Sequence, residues 1–400
     1  LDVRPVANHT RHATIYARAV DGYDRVVSET AVEVEYKGGD VKMRLHFMDL
    51  LSALIKVEVY ALEGRKRAYS EWELHSAFRT YRYVSVRQRE ATHGLDIVAN
   101  MGAAREYQSI HYMKRLSETG VNWIHAPGGE SAIVNAARQH MNLLPQVDAK
   151  AAADMRDGRY REPCLSNPSF RNENRDSLRD VTLRHWAGGW SRYSLGNGNC
   201  ISSISPLVCQ SRDCIMRFQE MLSREYDSLE ALNNAWRRDF GDWDFVEMPR
   251  AFGPGEQSSD ASWIDFRRFM DTSFAEYNSW ARQVVLQTDT DAMVGARFTS
   301  DSVPARGYYW PVLFDSLDFF ACDYSPVLTG KMRSYGSPGA WRGAVIRQRD
   351  HAVSSEWWAW LPWKLASEGV HAIWLDQVTG DVNHALPDSW LLPDGCTSTP

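Results

Sequence analysis

The stretch Arg192-Tyr-Ser-Leu-Gly-Asn-Gly-Asn-Cys200 decides how the rest of the chain is interpreted. Its first four residues favour a short strand, and the glycines and asparagines that follow predict a tight polar loop. Long patterns of helical spacing lie on both sides of it. A strand between two helices is typical of an α/β protein, in which the loop after the strand often carries the chemistry.

Seven further segments read as buried strands: 95–101, 121–125, 143–147, 292–298, 317–322, 343–346 and 370–374. Helical patterns alternate with the strands, over 104–118, 131–140, 168–186, 262–288 and 357–367. Eight strands of this kind predict a (β/α)8, or TIM, barrel. A doubly wound open sheet is the alternative, and it is weakened because no glycine-rich phosphate-binding fingerprint follows the first strand.

The first 82 residues have a different pattern, in which short, partly alternating segments are separated by turn signals. The segments are 13–19, 32–36, 41–47 and 55–62. They predict a small all-β sandwich over 1–82, incomplete or accessory, joined by 81–88 to a catalytic-type barrel over 83–400. Because the chain starts at Leu1 and shows no closing element near its end, we expect an internal fragment whose barrel is truncated at the C-terminal end. The compartment therefore stays unknown.

Composition narrows the classes of function. The chain has 400 residues, of which 44% are hydrophobic and 24% charged, as in ordinary globular proteins. No apolar run approaches the roughly 18 residues of a membrane span, and a net charge of -6 provides no basic field for nucleic acid. The 16 Trp and 17 Tyr are unusual. Most of them fit a large core, and the rest suit a groove in which aromatic rings stack on sugars.

In a barrel, the residues that follow the strands gather at one end. These residues are Asn100, His125, Glu130, Asp148, Asn197, Gly198, Arg297, Asp323, Tyr324, 347–356, Trp374 and Asp376. Acidic, amide and aromatic groups dominate, which favours a neutral polyhydroxy ligand. Any single member is equally well explained as an ion-paired loop residue, so the collective pattern carries the prediction.

Several segments resemble glycoside hydrolase family 42, the β-galactosidase-like barrels. The segment Arg161-Glu-Pro-Cys-Leu-Ser-Asn-Pro-Ser-Phe-Arg171 resembles its Arg-rich Cys-Pro-Asn-Ser-Pro stretch. Residues 193–199 resemble its strand-four segment, which in relatives often reads Ser-Leu-Gly-Asp-Glu-Asn. Residues 209–236 and 267–269 resemble its Cys-to-Trp block and its Asp-x-x-Arg-Phe helix. The resemblance runs from about 95 to 394 and is densest between 161 and 269.

The resemblance implies retaining hydrolysis of a β-galactoside-type glycoside by two carboxylates roughly 5–5.5 Å apart. The general acid/base would end strand four and the nucleophile strand seven. The acid/base position falls on Gly198, which has no side chain, and Asn197 before it would hold a sugar hydroxyl. Glu356 is the candidate nucleophile, although capping of the following helix explains it equally. Glu130 and Asp323 are alternative carboxylates.

The residues expected to bind substrate are Arg161, Glu130, Asp323, Tyr324, Trp374 and Asp376. Loss of a general acid typically forfeits roughly 10²–10⁴ in rate, so three interpretations stay open. The chain is a hydrolase with an impaired or relocated acid, a carbohydrate-binding protein without catalysis, or a structural barrel that serves assembly. A carbohydrate is the expected partner, and nucleic acid and membrane are not; homo-oligomer formation is compatible with the resemblance.

The resemblance also implies a structural Zn²⁺ held by four cysteines. Cys164, Cys209 and Cys214 occupy three of the four positions, Ser211 occupies the remaining one, and Cys200 is a nearby substitute. Structural zinc sites almost always use four nitrogen or sulfur ligands. We therefore interpret this set as a degenerate zinc site and expect no required cofactor. Small buried cysteines are the favoured interpretation, and a bound structural zinc is the alternative.

Overall fold

The chain folds as an antiparallel sheet followed by a closed parallel barrel. The computed structural model describes residues 12–35, 41–47, 54–64, 70–85, 94–101, 106–127, 129–147, 154–156, 158–186, 190–203, 205–250, 260–299, 304–347, 355–376 and 378. Within these residues, no helix has the length and the apolar content needed to cross a membrane.

The N-terminal sheet has the strand order β2-β1-β3-β4, and all neighbouring strands are antiparallel. Its elements are β1 (His12–Asp21), β2 (Val26–Glu35), β3 (Leu54–Glu63), α1 (Glu71–Ser76) and β4 (Phe78–Ser85). Leu74 of α1 packs on Tyr16, Tyr60 and Leu62 of the sheet. The prediction of a β unit before the barrel is confirmed, and in the described residues this unit is one sheet with a short helix.

Two details of the predicted β unit were wrong. Residues 41–47 are not a strand, although their burial alternates. Alternation makes a strand only where a partner strand completes the ladder, and the contact found for this segment is a hydrogen bond from the His46 amide to Ser28 Oγ. Conversely, residues 81–85, which we expected to connect the domains, pair with β3 as part of β4.

The predicted barrel is confirmed, and each of its eight strands lies within a few residues of the expected position. The strands are β5 (Asp96–Asn100), β6 (Trp123–Pro127), β7 (Asn142–Gln146), β10 (Arg192–Asn197), β11 (Met293–Phe298), β12 (Phe319–Asp323), β13 (Trp341–Ile346) and β14 (Ala372–Leu375). Pairing of β14 with β5 and of β7 with β10 closes the ring. A small hairpin, β8 (Asp154–Arg156) and β9 (Tyr160–Glu162), lies between β7 and β10.

Helices follow or precede the barrel strands in the expected alternation. They are α2 (Glu106–Glu118), α3 (Glu130–Arg138), α4 (Pro168–Trp186), α5 (Arg212–Glu225), α6 (Leu229–Trp236), α7 (Asp260–Leu286), α8 (Trp310–Asp315), α9 (Pro326–Tyr335) and α10 (Ser355–Ser367). Ser211, Ser228 and Ser325 cap α5, α6 and α9, because each hydroxyl accepts a backbone amide of the first turn.

Aromatic side chains form much of the packing between helices and barrel. Phe218 of α5 contacts Trp236, Phe266 and Phe269 with ring centroids 5.3–6.2 Å apart. These four rings are at most 4% exposed. Core packing is therefore the main use of the aromatic residues in this part of the chain.

The interior of the barrel is layered from one end to the other. At the amino-terminal ends of the strands, the Arg192 guanidinium lies 4.6 and 4.3 Å from the rings of Trp123 and Trp341. Its Nη1 is 3.2 Å from Asp96 Oδ2, which also accepts from Trp341 Nε1. Trp374 packs on Trp341 with ring centroids 6.0 Å apart and is fully buried. This aromatic layer separates the lower ion pair from the carboxyl ends of the strands, which we call the mouth.

Candidate active site at the mouth of the barrel

A buried ion pair forms the centre of the mouth. Arg297 of β11 donates from Nη1 and Nη2 to the two oxygens of Asp376, at 2.8 and 2.6 Å. The two residues are 4% and 6% exposed. Burial alone would raise the pKa of Asp376, but the charge of Arg297, a hydrogen bond from Asn100 and the charge of Arg347 lower that pKa below its usual range. Asp376 is therefore a carboxylate near neutral pH.

Arg347, directly after β13, links this pair to Asp323 at the end of β12. Its Nη2 donates to the Asp323 oxygens at 3.0 and 2.9 Å, and its Nε donates to Asp376 Oδ2 at 3.3 Å. Arg297 Nη2 also lies 3.6 Å from Asp323 Oδ1. Two guanidinium groups thus offset two carboxylates. This balance suits a neutral polar ligand better than a charged one.

A second shell of hydrogen bonds fixes the orientation of Asp376. Asn100, the last residue of β5, donates from Nδ2 to Asp376 Oδ1 at 2.8 Å and accepts through Oδ1 from His125 Nδ1, also at 2.8 Å. This arrangement assigns the ring proton to Nδ1. Burial, assisted by the charge of Arg297, lowers the pKa of His125 to about 3. His125 is therefore neutral near pH 7 and orients Asn100.

The loop after β10 joins the same cluster. Asn197 is exposed, and its Oδ1 accepts from Arg297 Nη1 at 2.6 Å. The Gly198 amide donates to the backbone oxygen of Arg297 at 2.9 Å. Gly198 has φ +75°, and a Cβ built there would lie 3.2 Å from Thr299 Cγ2. Glycine adopts this left-handed conformation at no steric cost. The backbone conformation at position 198 therefore favours a residue without a side chain.

Three positions at the mouth do not supply a proton donor near neutral pH. A general acid must be protonated at the working pH and within reach of the leaving group. Asp376 is held as a carboxylate, His125 is held neutral with its proton engaged by Asn100, and Gly198 has no side chain. These positions therefore leave the role of the acid unfilled.

The end of β13 carries a cation where the resemblance implies the nucleophile. Arg347 takes the position directly after the strand and is bound to two carboxylates. Glu356 lies in the first turn of α10 and is exposed. A carboxylate there interacts favourably with the helix dipole. Residues 348–354 lie outside the described residues, so the nucleophilic role of Glu356 stays a prediction.

Two residues expected to bind substrate contact other parts of the protein. Glu130 begins α3 and accepts from the hydroxyls of Tyr81 and Tyr83, at 2.8 and 2.5 Å, so it faces the N-terminal sheet. Arg161 is 2% exposed, and its guanidinium donates to the backbone oxygens of Cys200 and Pro163. In this structure Arg161 supports the loop that follows β10.

The other predicted residues divide between mouth and core. Asp323, Asp376 and Asn197 meet at the mouth, as the preceding contacts show. Trp374 points into the barrel interior, where His125 lies with its ring centroid 5.1 Å away and where no ring face is open to solvent. Tyr324 is partly buried beside the core near α10. Asp148 lies outside the described residues.

The sequence argument named Arg297 and Arg347 as strand-end residues but gave them no role. Both hold the cluster together. Their position directly after a strand was the available signal, whereas their partners could not be inferred from spacing, since Arg297 and Asp376 are 79 positions apart.

Three cysteine sulfurs converge at the start of α5. The Sγ atoms of Cys164, Cys209 and Cys214 all lie within 4.8 Å of one another, and Ser211 Oγ is 3.0 Å from Cys164 Sγ. Hydrogen bonding with Cys164 lowers the pKa of Cys209 and raises that of Cys214. Three thiols and a hydroxyl do not fit a closed structural zinc site, which needs four nitrogen or sulfur ligands. The expectation of no required cofactor stays a prediction.

The fold and the mouth together define a class: a (β/α)8 barrel whose strand ends present carboxylate, amide and guanidinium groups. A family model described as beta-galactosidase, that of glycoside hydrolase family 42, matches residues 111–349. The match covers more than half of the chain, which therefore belongs to glycoside hydrolase family 42.

Curated relatives match parts of the chain. Beta-galactosidase BglY of Alicyclobacillus acidocaldarius is 26% identical over 223 residues, which are 54% of this chain and 30% of that protein. Beta-galactosidase BgaH of Haloferax lucentense is 23% identical over 150 residues, 35% of this chain and 22% of the relative. The chain thus spans less than a third of the length of these curated relatives.

The solved structures support the fold. The β-galactosidase of Bacillus circulans sp. alkalophilus superposes with a TM-score of 0.58 at 15% identity, over 76% of this chain and 53% of that one. The catalytic domain of a β-amylase from Paenibacillus polymyxa gives a TM-score of 0.55 at 13% identity, over 77% and 96% of the two chains. The barrel architecture is therefore shared with a β-galactosidase and with a β-amylase.

Proposed function

We propose that the mouth binds a β-galactoside-type sugar and cleaves its glycosidic bond in a manner that depends on the leaving group. Membership of family 42 and the similarity to proteins named beta-galactosidases support the substrate class. The observation that carries the proposal is the cluster of Asn197, Asp323 and Asp376 around Arg297. Carboxylate and amide oxygens fixed in this way can accept the hydroxyl protons of a neutral sugar.

The absence of an acid at Gly198 shapes the expected chemistry. Without a proton donor the leaving group must depart as an anion, which is tolerable for an acidic phenol and costs roughly 10²–10⁴ in rate for an alcohol. Glu356 is our candidate nucleophile, and Asp323 is a second carboxylate within the cluster. The test compares 2,4-dinitrophenyl β-galactoside with methyl β-galactoside, using Glu356→Gln as the variant and exposed Glu220→Gln as the matched control.

We expect slow hydrolysis of the dinitrophenyl substrate alone, and loss of that hydrolysis in Glu356→Gln but not in Glu220→Gln. Equal rates on both substrates would mean that a proton donor operates, which contradicts the leaving-group dependence. No hydrolysis and no galactose binding by calorimetry would overturn the proposal.

A second candidate function, sugar binding without hydrolysis, is favoured by one observation. Arg347, a cation, lies directly after β13 and is bound to Asp323 and Asp376. If galactose binds, but the dinitrophenyl substrate is not hydrolysed above the rate in buffer, this candidate replaces the first.

A further inference from the structure

A cleft of about 510 Å³ separates the N-terminal sheet from helix α3 of the barrel. The sheet side of the cleft includes Val20, Leu54, Lys56 and Tyr83, and the turn after β1 adds further residues. The barrel side is formed by Glu130, Ser131, Val134, Asn135 and Arg138. These five residues repeat at a spacing of three to four along α3, so they form one face of the helix.

Polar contacts hold the two walls together at both ends of this face. At the first end, Glu130 accepts from Tyr81 and Tyr83, and the Lys56 ammonium lies 3.5 Å from it. At the other end, Arg138 donates to Asp24 at 2.9 Å and to the backbone oxygen of Gly22. Between these contacts, the residues that the structure describes leave the middle of the face unfilled. An interface that served packing alone would place side chains there.

One buried polar side chain that lines the cleft has an unmet hydrogen-bonding capacity. Asn135 is 3% exposed, and its Nδ2 finds no hydrogen-bond partner among the described residues. Buried amide nitrogens are almost always hydrogen-bonded, because an unpaired one has lost its hydrogen bonds to water without replacement. Because Asn135 lines the cleft, a rotation of its side chain would bring Nδ2 to the cleft surface, where an oxygen of a bound molecule would accept from it.

We propose that this cleft is a second binding site, distinct from the mouth, for a small neutral polyhydroxy ligand such as a mono- or disaccharide. The charged groups at its two ends are paired across the cleft, which disfavours a charged ligand. Asn135 and Ser131 offer hydrogen bonds to hydroxyl or ring oxygens, while Val134 and Leu54 offer apolar contact to C–H faces. The volume falls within the range of about 300–1,000 Å³ typical of ligand sites.

Calorimetric titration with lactose tests the proposal. Two variants address the cleft: Asn135→Leu removes the amide donor at similar volume, and Ser131→Phe fills the space while Asn135 stays intact. The exposed serine of α5 provides the control, Ser223→Phe, and Asn197→Trp obstructs the mouth. Circular dichroism confirms that each variant is folded.

We expect wild type to bind two equivalents of lactose, and each cleft variant to bind one or to lose at least tenfold in affinity at the second site. Ser223→Phe should behave as wild type, and Asn197→Trp should retain the cleft equivalent. If the proposed function at the mouth fails, wild type should bind a single equivalent of lactose. Loss of that binding in Ser131→Phe, but not in Asn197→Trp, would still support the proposed binding site in the cleft. No lactose binding, or binding unaffected by both cleft variants, would overturn the inference.

Discussion

The ends of β10 and β13 contrast in the groups that they present at the mouth. At the end of β10, Gly198 provides no side chain, in a backbone conformation suited to glycine. At the end of β13, Arg347 provides a positive charge that is bound to Asp323 and Asp376. One strand end therefore carries no side chain, whereas the other carries a charged group with partners of its own.

This difference predicts different consequences of substitution. A group added at Gly198 meets mainly a local backbone cost and one methyl contact with Thr299. A change at Arg347 or at its neighbour Arg297 disturbs a set of charges that lie at the ends of four strands, β11 to β14. The β13 side of the mouth is therefore the more constrained of the two, and the following predictions test that conclusion.

The largest effect is expected for Arg297→Met. Removing one partner of a buried ion pair typically costs about 3–5 kcal/mol, because the other charge is left uncompensated. Asp376, which is 6% exposed, would lose its bidentate partner and keep only the 3.3 Å contact with Arg347 and the hydrogen bond from Asn100. Urea unfolding measures the loss. Arg347→Met is the comparison, since the Arg347 side chain is 26% exposed, and its loss should be less than half as large. Equal losses would contradict the central role of Arg297.

The hydrolytic activity of the Gly198→Glu variant should exceed that of the Gly198→Gln variant. The two variants share the same backbone strain and nearly the same volume, so only the carboxyl group differs. If Glu356 or Asp323 serves as nucleophile, the glutamate should raise the hydrolysis of methyl β-galactoside by roughly 10²-fold or more over glutamine. No difference between the two would identify the end of β13 as the limiting site.

Stability should fall on acidification because of the histidine beneath the mouth. The folded-state pKa of His125 is lowered to about 3, so the unfolded chain binds a proton first as the pH falls below its ordinary value near 6.5. Each pH unit between these values should cost about 1.4 kcal/mol of unfolding free energy.

Buried His185, whose pKa burial also lowers to about 3, contributes in the same window. The lowered pKa of Asp376 adds a loss only at lower pH, as that carboxylate becomes protonated in the folded state. His125→Gln should reduce the slope by about half, and His111→Gln, at an exposed position, should not. An unchanged slope in His125→Gln would rule out His125 as its source.

The smallest effect concerns the backbone at Gly198. A residue with a Cβ in the left-handed region costs about 1 kcal/mol or slightly more. Thermal unfolding of Gly198→Gln should show this loss, while Gly198→Asn should lose less, since asparagine tolerates the conformation. Wild-type stability in Gly198→Gln would mean that the loop rearranges.

The barrel could be predicted from the sequence because strands buried on both faces read as apolar runs between helical patterns. The segment 41–47 shows the limit of this approach. Its alternation is typical of a strand, but a strand exists only where another strand pairs with it, and that partner is not encoded locally.

The site could be predicted only as a collection of strand-end residues. Barrel geometry brings Asn197, Asp323 and Asp376 together, and their positions were sufficient to show it. The contacts that Glu130 and Trp374 make could not be predicted from the sequence. Glu130 is bound by tyrosines of the N-terminal sheet, and Trp374 faces the interior because of strand tilt and register, which no local pattern specifies.

The ion pair of Arg192 and Asp96 has a consequence for how this barrel can vary. Its two opposite charges cancel at the amino-terminal end of the strands, and Trp341 and Trp374 lie between this ion pair and the mouth. The lower layer therefore imposes little net field on the residues above it. Substitutions that change the charges at the mouth therefore leave the packing at the amino-terminal end of the barrel intact. The barrel scaffold and the chemistry at its mouth can evolve independently.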